Sequence, residues 1–196
     1  MEVQPLDSTL FGKPIKMRLP FFNSDFDCIS DPAGSQYYAG EKALVTFIEV
    51  SVYDKIMKHV NSDTRNEVGG ALLGKYCIDT KVEQPFIWVT KAFPATSEIN
   101  EKFASPSLMR FTNTFFRKLD EYLDKVHKQE PYIMRLGMYH SHPGYRVFMS
   151  ATDSATFRGI FFEPWHISLI IDPLNGEEGV FYWEKIGEQK EISNKT

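Results

Sequence analysis

The chain of 196 residues is long enough for one domain with a hydrophobic core and short for two domains of ordinary size. Its composition, with 42% hydrophobic and 24% charged residues, is typical of a folded protein, and 16 Phe and 9 Tyr argue against extended disorder. The formal net charge is -4 and no run of Lys or Arg occurs, so the charge pattern gives no support for nucleic-acid binding.

Features of targeting and redox state point to an intracellular protein. The first thirty residues carry charged side chains and have no long apolar stretch, which argues against a signal peptide. No stretch approaches 18 consecutive apolar residues, so no membrane span is expected. Cys28 and Cys77 are the two cysteines of the chain and do not form a CxxC pair. Two thiols are far from a disulfide framework, and the sequence therefore predicts a soluble protein of the reducing cytoplasm.

The N-terminal stretch, residues 1–42, is predicted to be an extension of the domain. Seven proline and glycine residues interrupt it and leave room only for a short strand near residues 15–22. We interpret this stretch as a segment that lies on the surface of the domain, or as an arm that binds a partner. The folded domain is predicted for residues 43–187, and the polar residues 188–196 are predicted to be a flexible tail.

The domain itself contains the patterns of both strands and helices. Runs of β-branched and aromatic residues predict strands at 43–50, 68–76, 86–92, 133–139, 167–171 and 179–183. Apolar residues at helical spacing predict a short helix at 52–60 and a longer one at 106–127, which Ser105 and Pro106 would begin as cap and first-turn proline. A third helix is predicted to begin near Ser150. Because strands and helices do not alternate strictly, we predict an α+β fold.

The candidate metal-binding residues follow the strand predicted at 133–139. His140 and His142 lie two positions apart at a strand end, so both imidazoles point to one side and can bind one ion. A turn at Pro143-Gly144 is expected to bring Asp153 back toward them. Two imidazoles and one carboxylate suit a catalytic zinc, which keeps its fourth position for water.

Two further residues complete a candidate catalytic set. Glu67 is the candidate general base, because the glycines at 69 and 70 would let its strand pack close to the histidines. Ser150 is the candidate hydrogen-bond donor to an oxyanion. Ser150 and Asp153 also fit a capping box at the start of a helix, and this reading is compatible with the catalytic one. The other histidines have no ligand partner at useful spacing and are assigned to the surface or the core: His59, His127 and His166.

The set of Glu67, His140-Ser141-His142-Pro143, Ser150 and Asp153 resembles the JAMM motif of the MPN+ zinc metalloproteases. That motif is an upstream Glu, then HxH, seven residues, Ser, two residues and Asp, and the spacing here matches it. The resemblance covers about residues 43–187. It implies a cytidine-deaminase-like MPN domain, in which a curved sheet carries a helix on each side. It also implies one zinc ion held by His140, His142 and Asp153, with Glu67 as general acid and base and Ser150 at the oxyanion.

The resemblance further implies a reaction and a substrate. The family typically hydrolyses the isopeptide or peptide bond after the C-terminal glycine of ubiquitin or a ubiquitin-like protein. Members of this size resemble stand-alone deubiquitinases, including those of bacterial ubiquitin-like conjugation systems. Because family members often work beside a second MPN-type subunit, the resemblance also allows an MPN-type or conjugation-pathway protein partner. In the family an insertion near residues 95–108 contacts the extended substrate tail, which would place Phe103 in a tail groove; a plain surface loop is the alternative.

Two other functions stay open at this point. The chain could be a non-catalytic MPN scaffold that binds protein partners, although the complete ligand set argues against this. It could also keep the peptidase chemistry and act on a sulfur-carrier protein or another peptide, because the metal site does not determine what lies beyond the scissile bond. Neither nucleic acid nor membrane is expected as a partner.

Overall fold

The structure is a computed structural model that describes residues 3–5, 26–29, 45–81, 84–99, 104–105 and 108–183. The strands are β1 (Val3–Pro5), β2 (Phe26–Ile29), β3 (Val45–Ile48), β4 (Gly69–Asp79), β5 (Gln84–Pro94), β6 (Ala104–Ser105), β7 (Leu108–Met109), β8 (Met134–Ser141), β9 (Ile167–Asp172) and β10 (Glu177–Trp183). The helices are α1 (Val50–Val60), α2 (Asn113–Val126) and α3 (Ala151–Ile160).

Eight strands form one mixed sheet. Its order is β1-β10-β9-β8-β4-β5-β3, and β2 pairs with β4 as well. The pairs β8–β9 and β3–β5 are parallel, and the other pairs are antiparallel. Strand β5 occupies one edge of β4 along nearly all its length, while the other edge pairs first with β8 and then with β2. Strand β4 is therefore the centre of the sheet, and the predicted α+β class is confirmed.

Helices cover both faces of this sheet. Alternate residues of β4 point to opposite faces, so that Leu72 and Tyr76 pack with α1 whereas Ala71 and Leu73 pack with α2. The residues of α1 in this core are Val52, Ile56 and Val60, and those of α2 are Phe115, Leu119 and Leu123. On the α2 face, Met138 of β8 lies opposite Ala71 and packs against Phe157 and Phe161 at α3. The expected helix on each side of the sheet is thus present.

The start of the second helix was predicted wrongly. Helix α2 begins at Asn113 instead of Pro106, and Thr112 caps it by accepting a hydrogen bond from the Phe115 backbone N–H at 3.1 Å. Residues 104–105 and 108–109 pair as a separate two-stranded sheet. A cap signal at Ser105-Pro106 was therefore mistaken for the helix start, although the apolar face of the helix was predicted correctly.

The other elements differ less from the prediction. Helix α1 begins at Val50, so the strand predicted for 43–50 ends at Ile48 within the described residues. Two strands of the sheet, β1 and β2, come from the stretch interpreted as an extension. The strand predicted near 15–22 and the tail 188–196 lie outside the described residues. In the part of the chain that the structure describes, no helix has the length and hydropathy needed to cross a membrane.

Candidate metal centre

The site lies where β8 ends and β4 begins. Gly69 of β4 is paired with His140 of β8. A Cβ atom at Gly69 would lie 2.5 Å from the carbonyl oxygen of Tyr139, and one at Gly70 would lie 2.6 Å from the Tyr139 ring. Only glycine fits such a close approach of two backbones. These glycines bring the segment that carries Glu67 beside the histidines, as the sequence predicted.

Ser141, between the two histidines, fixes this segment. Its backbone N–H donates to the Val68 carbonyl at 2.8 Å, and its hydroxyl accepts from the Val68 N–H at 3.0 Å. Val68 follows Glu67 directly, so both bonds hold the candidate base against the end of β8. No role was predicted for Ser141 from the sequence. A polar residue that alternates with two histidines on a strand was the available signal, because it must point to the other side.

The three predicted metal ligands form one buried cluster. The Nε2 atoms of His140 and His142 are 3.1 Å apart, and they lie 3.5 and 3.4 Å from the two carboxylate oxygens of Asp153. Four-coordinate zinc with ligands at about 2.0–2.1 Å separates neighbouring ligand atoms by roughly 3.3 Å. The observed separations and the donor set therefore fit a zinc-sized ion, and all three side chains are buried.

The Glu67 carboxylate lies beside this cluster without belonging to it. Its Oε1 atom is 3.8 Å from His142 Nε2, and its side chain is buried. Burial raises the pKa of Glu67 to about 7, although His142 and a hydrogen bond from the Met109 backbone N–H act in the opposite direction. A carboxyl group with such a pKa can both accept and donate a proton near neutral pH.

The charges of the cluster favour a cation. Burial alone would raise the pKa of Asp153, but hydrogen bonds from His140 and His142 outweigh it and hold the pKa well below its usual range. Burial opposes charge on His142 as well, yet Asp153 and Glu67 raise its pKa above the ordinary value. Two carboxylates thus attract positive charge to a site with little access to water, and a bound metal ion would provide it.

His142 has a fixed tautomer. Its Nδ1 atom lies 3.2 Å from the Arg146 carbonyl oxygen, which can only accept, so Nδ1 carries the proton of the neutral imidazole. Nε2 faces Asp153 and would bind a metal ion after the imidazolium loses its second proton. Its backbone N–H donates to Ile171 at the end of β9 at 2.8 Å. The ring of Phe148 packs against the imidazole with the centroids 4.9 Å apart. For His140, no described residue hydrogen-bonds the Nδ1 atom.

Asp172 holds the loop that orients His142. Its carboxylate is buried and accepts hydrogen bonds from the backbone N–H groups of Gly144 and Arg146 at 2.9 and 2.7 Å. The same carboxylate accepts from the N–H groups of Leu174 and Asn175 and from the Asn175 amide. Arg146 has a φ of 68°, a left-handed conformation that costs energy outside glycine. Asp172 therefore stabilises the backbone at Arg146, and the carbonyl oxygen of Arg146 accepts the hydrogen bond from His142 Nδ1.

Asp172 was not predicted from the sequence to belong to the site. Its position after an apolar strand and before Pro173 and an Asn-Gly pair indicated a turn, but its contacts with residues 144 and 146 depend on the pairing of β8 with β9.

Ser150 lies at the start of α3, where the predicted capping box is present. Its hydroxyl accepts from the Asp153 N–H at 3.1 Å, and the Asp153 carboxylate accepts from the Ser150 N–H at 3.0 Å. This cap places Asp153 in the first turn, facing the histidines. His59, His127 and His166 lie outside the cluster and make hydrogen bonds elsewhere, as expected. Phe103, the residue named for a substrate groove, lies outside the described residues.

Comparison with known proteins agrees with the motif. Residues 49–185 match the family described as prokaryotic homologs of the JAB domain. COP9 signalosome complex subunit 5 of Dictyostelium discoideum is 29% identical over 121 residues, which are 61% of this chain and 33% of that protein. This chain thus spans a third of the length of its curated relative. A protein of Desulfitobacterium hafniense, solved in solution, is similar with a TM-score of 0.48 and 22% identity over 74% of this chain and 94% of that chain.

Proposed function

The chain belongs to the family of prokaryotic homologs of the JAB domain, and on this premise we propose that it is a zinc-dependent peptidase. The proposed reaction is hydrolysis of the amide bond after the C-terminal glycine of ubiquitin or a ubiquitin-like protein. The proposal rests mainly on the buried cluster of His140, His142 and Asp153 with the Glu67 carboxylate 3.8 Å from His142. A set of metal ligands beside a separate carboxylate is what metal-assisted amide hydrolysis requires.

Each residue of the set has a role in this reaction. His140, His142 and Asp153 would hold the ion. When bound, zinc supplies a Lewis acid for the scissile carbonyl and lowers the pKa of bound water to about 7. Glu67 accepts the proton of the attacking water and delivers it to the leaving amine. Ser150 keeps its hydroxyl hydrogen for the oxyanion, because its oxygen serves as acceptor for the Asp153 N–H.

The surroundings of Glu67 support an extended peptide as substrate. Its carboxylate accepts a hydrogen bond from Met109 of β7, so the small sheet of β6 and β7 lies next to the candidate base. Short strands at the edge of a site can pair with an extended peptide through their backbone groups. A narrow tail that ends in glycine, as in ubiquitin-like proteins, would lie along this edge with its last peptide bond near Glu67.

A cleavage panel tests the proposal. Ubiquitin and several ubiquitin-like proteins, each with a C-terminal peptide extension, are incubated with the wild-type chain, and the masses of the products are measured by mass spectrometry. We expect one cut after the terminal glycine, loss of cleavage on chelation and recovery on adding zinc. Glu130→Gln, which removes an acid four residues before β8 and its ion pair with Lys91, is the control for substitution of an acid away from the metal centre and should stay active.

The panel also separates the alternatives. Cleavage of a sulfur-carrier protein in preference to every ubiquitin-like protein would keep the chemistry and replace the substrate. Binding of zinc without cleavage of any member of the panel would favour a non-catalytic scaffold.

A further inference from the structure

The two cysteines are direct partners across two antiparallel strands. Cys28 of β2 lies opposite Cys77 of β4, and their sulfur atoms are 3.0 Å apart. Residues opposite each other on antiparallel strands have their Cα atoms about 4.5–5.5 Å apart, which is within the range that a disulfide spans. The sulfur atoms are only about 1 Å farther apart than in a disulfide bond of about 2.05 Å. A bond between them requires small side-chain rotations and no movement of the strands.

The two thiols differ in accessibility and acidity. Cys28 is half-buried, whereas Cys77 is fully buried in a small apolar cluster with Phe47 and Phe86. A hydrogen bond from Cys77 lowers the pKa of the Cys28 thiol to about 7, and burial of Cys28 opposes this. A thiol that is both accessible and acidic is the attacking group in thiol–disulfide exchange. Cys28 is therefore suited to attack, and Cys77 to complete the reaction.

We propose that Cys28 and Cys77 are a reversible disulfide site that reacts with low-molecular-weight disulfides of the glutathione type. The Cys28 thiolate attacks one sulfur of the small disulfide, forms a mixed disulfide and releases one small thiolate. Cys77 then attacks the Cys28 sulfur, and its proton passes to the departing small thiolate, which leaves as the second small thiol. Two electrons pass from the protein dithiol to the small disulfide, so that one disulfide is consumed and another forms.

The bond would fix an otherwise weakly held strand. The described contacts of β2 with the sheet are four residue pairs along one edge of β4. Cys77 is eight residues from Gly69 along β4, a distance of about 26 Å in a strand, so the disulfide lies far from the metal centre. Oxidation is expected to slow local opening of residues 26–29 by on the order of tenfold to a hundredfold. The proposal does not depend on the proposed peptidase function.

Redox titration of the full chain tests the proposal. The reduced protein is equilibrated with mixtures of reduced and oxidised glutathione, quenched with acid, unfolded so that all remaining free thiols are alkylated, and its intact mass is measured. We expect the wild type to lose both alkylatable thiols together and to keep no glutathione. Cys77→Ala should trap one glutathione on Cys28, and Cys28→Ser should stay unmodified because Cys77 is buried. Hydrogen exchange should show slower exchange at residues 26–29 in the oxidised wild type.

Two results would overturn the proposed disulfide site, and a third would overturn its expected effect on β2. The wild type could keep both thiols free in oxidised glutathione, or it could accumulate a stable glutathione adduct at Cys28. Exchange at residues 26–29 could also be equally fast in oxidised and reduced protein, in which case the bond does not fix β2. The wild-type masses decide the first two outcomes even if a substitution at the buried position disturbs folding.

Discussion

Acid sensitivity of the fold is predicted from the buried imidazole of His166. Its Nδ1 atom accepts from the Glu163 backbone N–H at 3.1 Å, so the proton resides on Nε2, which donates to the Arg135 carbonyl at 3.2 Å. A second proton on the ring would point at the Glu163 N–H and would remove that bond. Burial, the largest cause, and the nearby Arg135 charge lower the pKa of His166 from 6.5 to about 4.

The sign and size of the effect follow from linkage. The folded pKa lies below the unfolded one, so between about pH 6.5 and 4 the unfolded chain binds a proton that the folded chain does not. The contribution of His166 to stability is therefore complete above about pH 6.5 and is lost as the pH falls toward 4. A difference of about 2.5 pH units, at about 1.4 kcal/mol each, corresponds to a loss of roughly 3–4 kcal/mol.

Urea unfolding of the wild type and His166→Gln, at about pH 7 and about pH 4.5, measures this loss. Glutamine can accept and donate a hydrogen bond but does not titrate in this range. We expect the wild type to lose roughly 2–3 kcal/mol more than the variant between the two pH values. Burial also lowers the pKa of His59, so the variant keeps some acid sensitivity of the same sign. Equal losses in both proteins would refute the assignment to His166.

Three further substitutions test the packing around the site. Gly69→Ala should reduce the free energy of unfolding, measured in urea, by about 1–3 kcal/mol, because the new Cβ would collide with the Tyr139 carbonyl oxygen. An unchanged urea midpoint of unfolding would contradict the close approach of β4 to β8 at this position. Gly159→Ala, where nothing lies within 4 Å of a new Cβ, should instead stabilise helix α3 by about 0.5–1 kcal/mol. Asp172→Asn should weaken zinc affinity by about 10–100-fold in a competition titration. Asp79→Asn, which changes another buried acid at the last residue of a strand, should leave the affinity unchanged. Equal zinc affinities of Asp172→Asn and the wild type would exclude a role of Asp172 in orienting His142.

The secondary structure was predictable where the signal was local. Periodic apolar residues correctly gave the buried face of α2, including Phe115 and Leu119. Its start was not predictable, because Ser105-Pro106 and Thr112 both resemble a helix cap, and the choice depends on pairing of residues 104–105 with 108–109. The strands β1 and β2 were not predicted either. They have three and four residues, and their partners lie far away in the sequence, so no local pattern marks them.

In the candidate site, too, the residues predicted from local patterns differ from those whose roles depend on strand pairing. His140 and His142 are two residues apart on one strand, and Ser150 with Asp153 begins one helix, so their geometry follows from local structure. Glu67 lies about seventy residues before the histidines, and it was chosen from the glycines that follow it and from the motif that links it to the histidines. The roles of Ser141 and Asp172 depend on how β8 pairs with β4 and β9, and no sequence pattern of those residues specifies the partners of their hydrogen bonds.

Glu67→Gln provides the most direct test of the central claim, that a metal held by two histidines and Asp153 works with Glu67 to cleave an amide bond. Zinc content and cleavage of a ubiquitin-like precursor are measured on the same samples of wild type and variant. The account predicts one zinc ion per chain in both proteins and a loss of cleavage of at least about a hundredfold in the variant. A zinc-loaded Glu67→Gln protein that cleaves at the wild-type rate would contradict it.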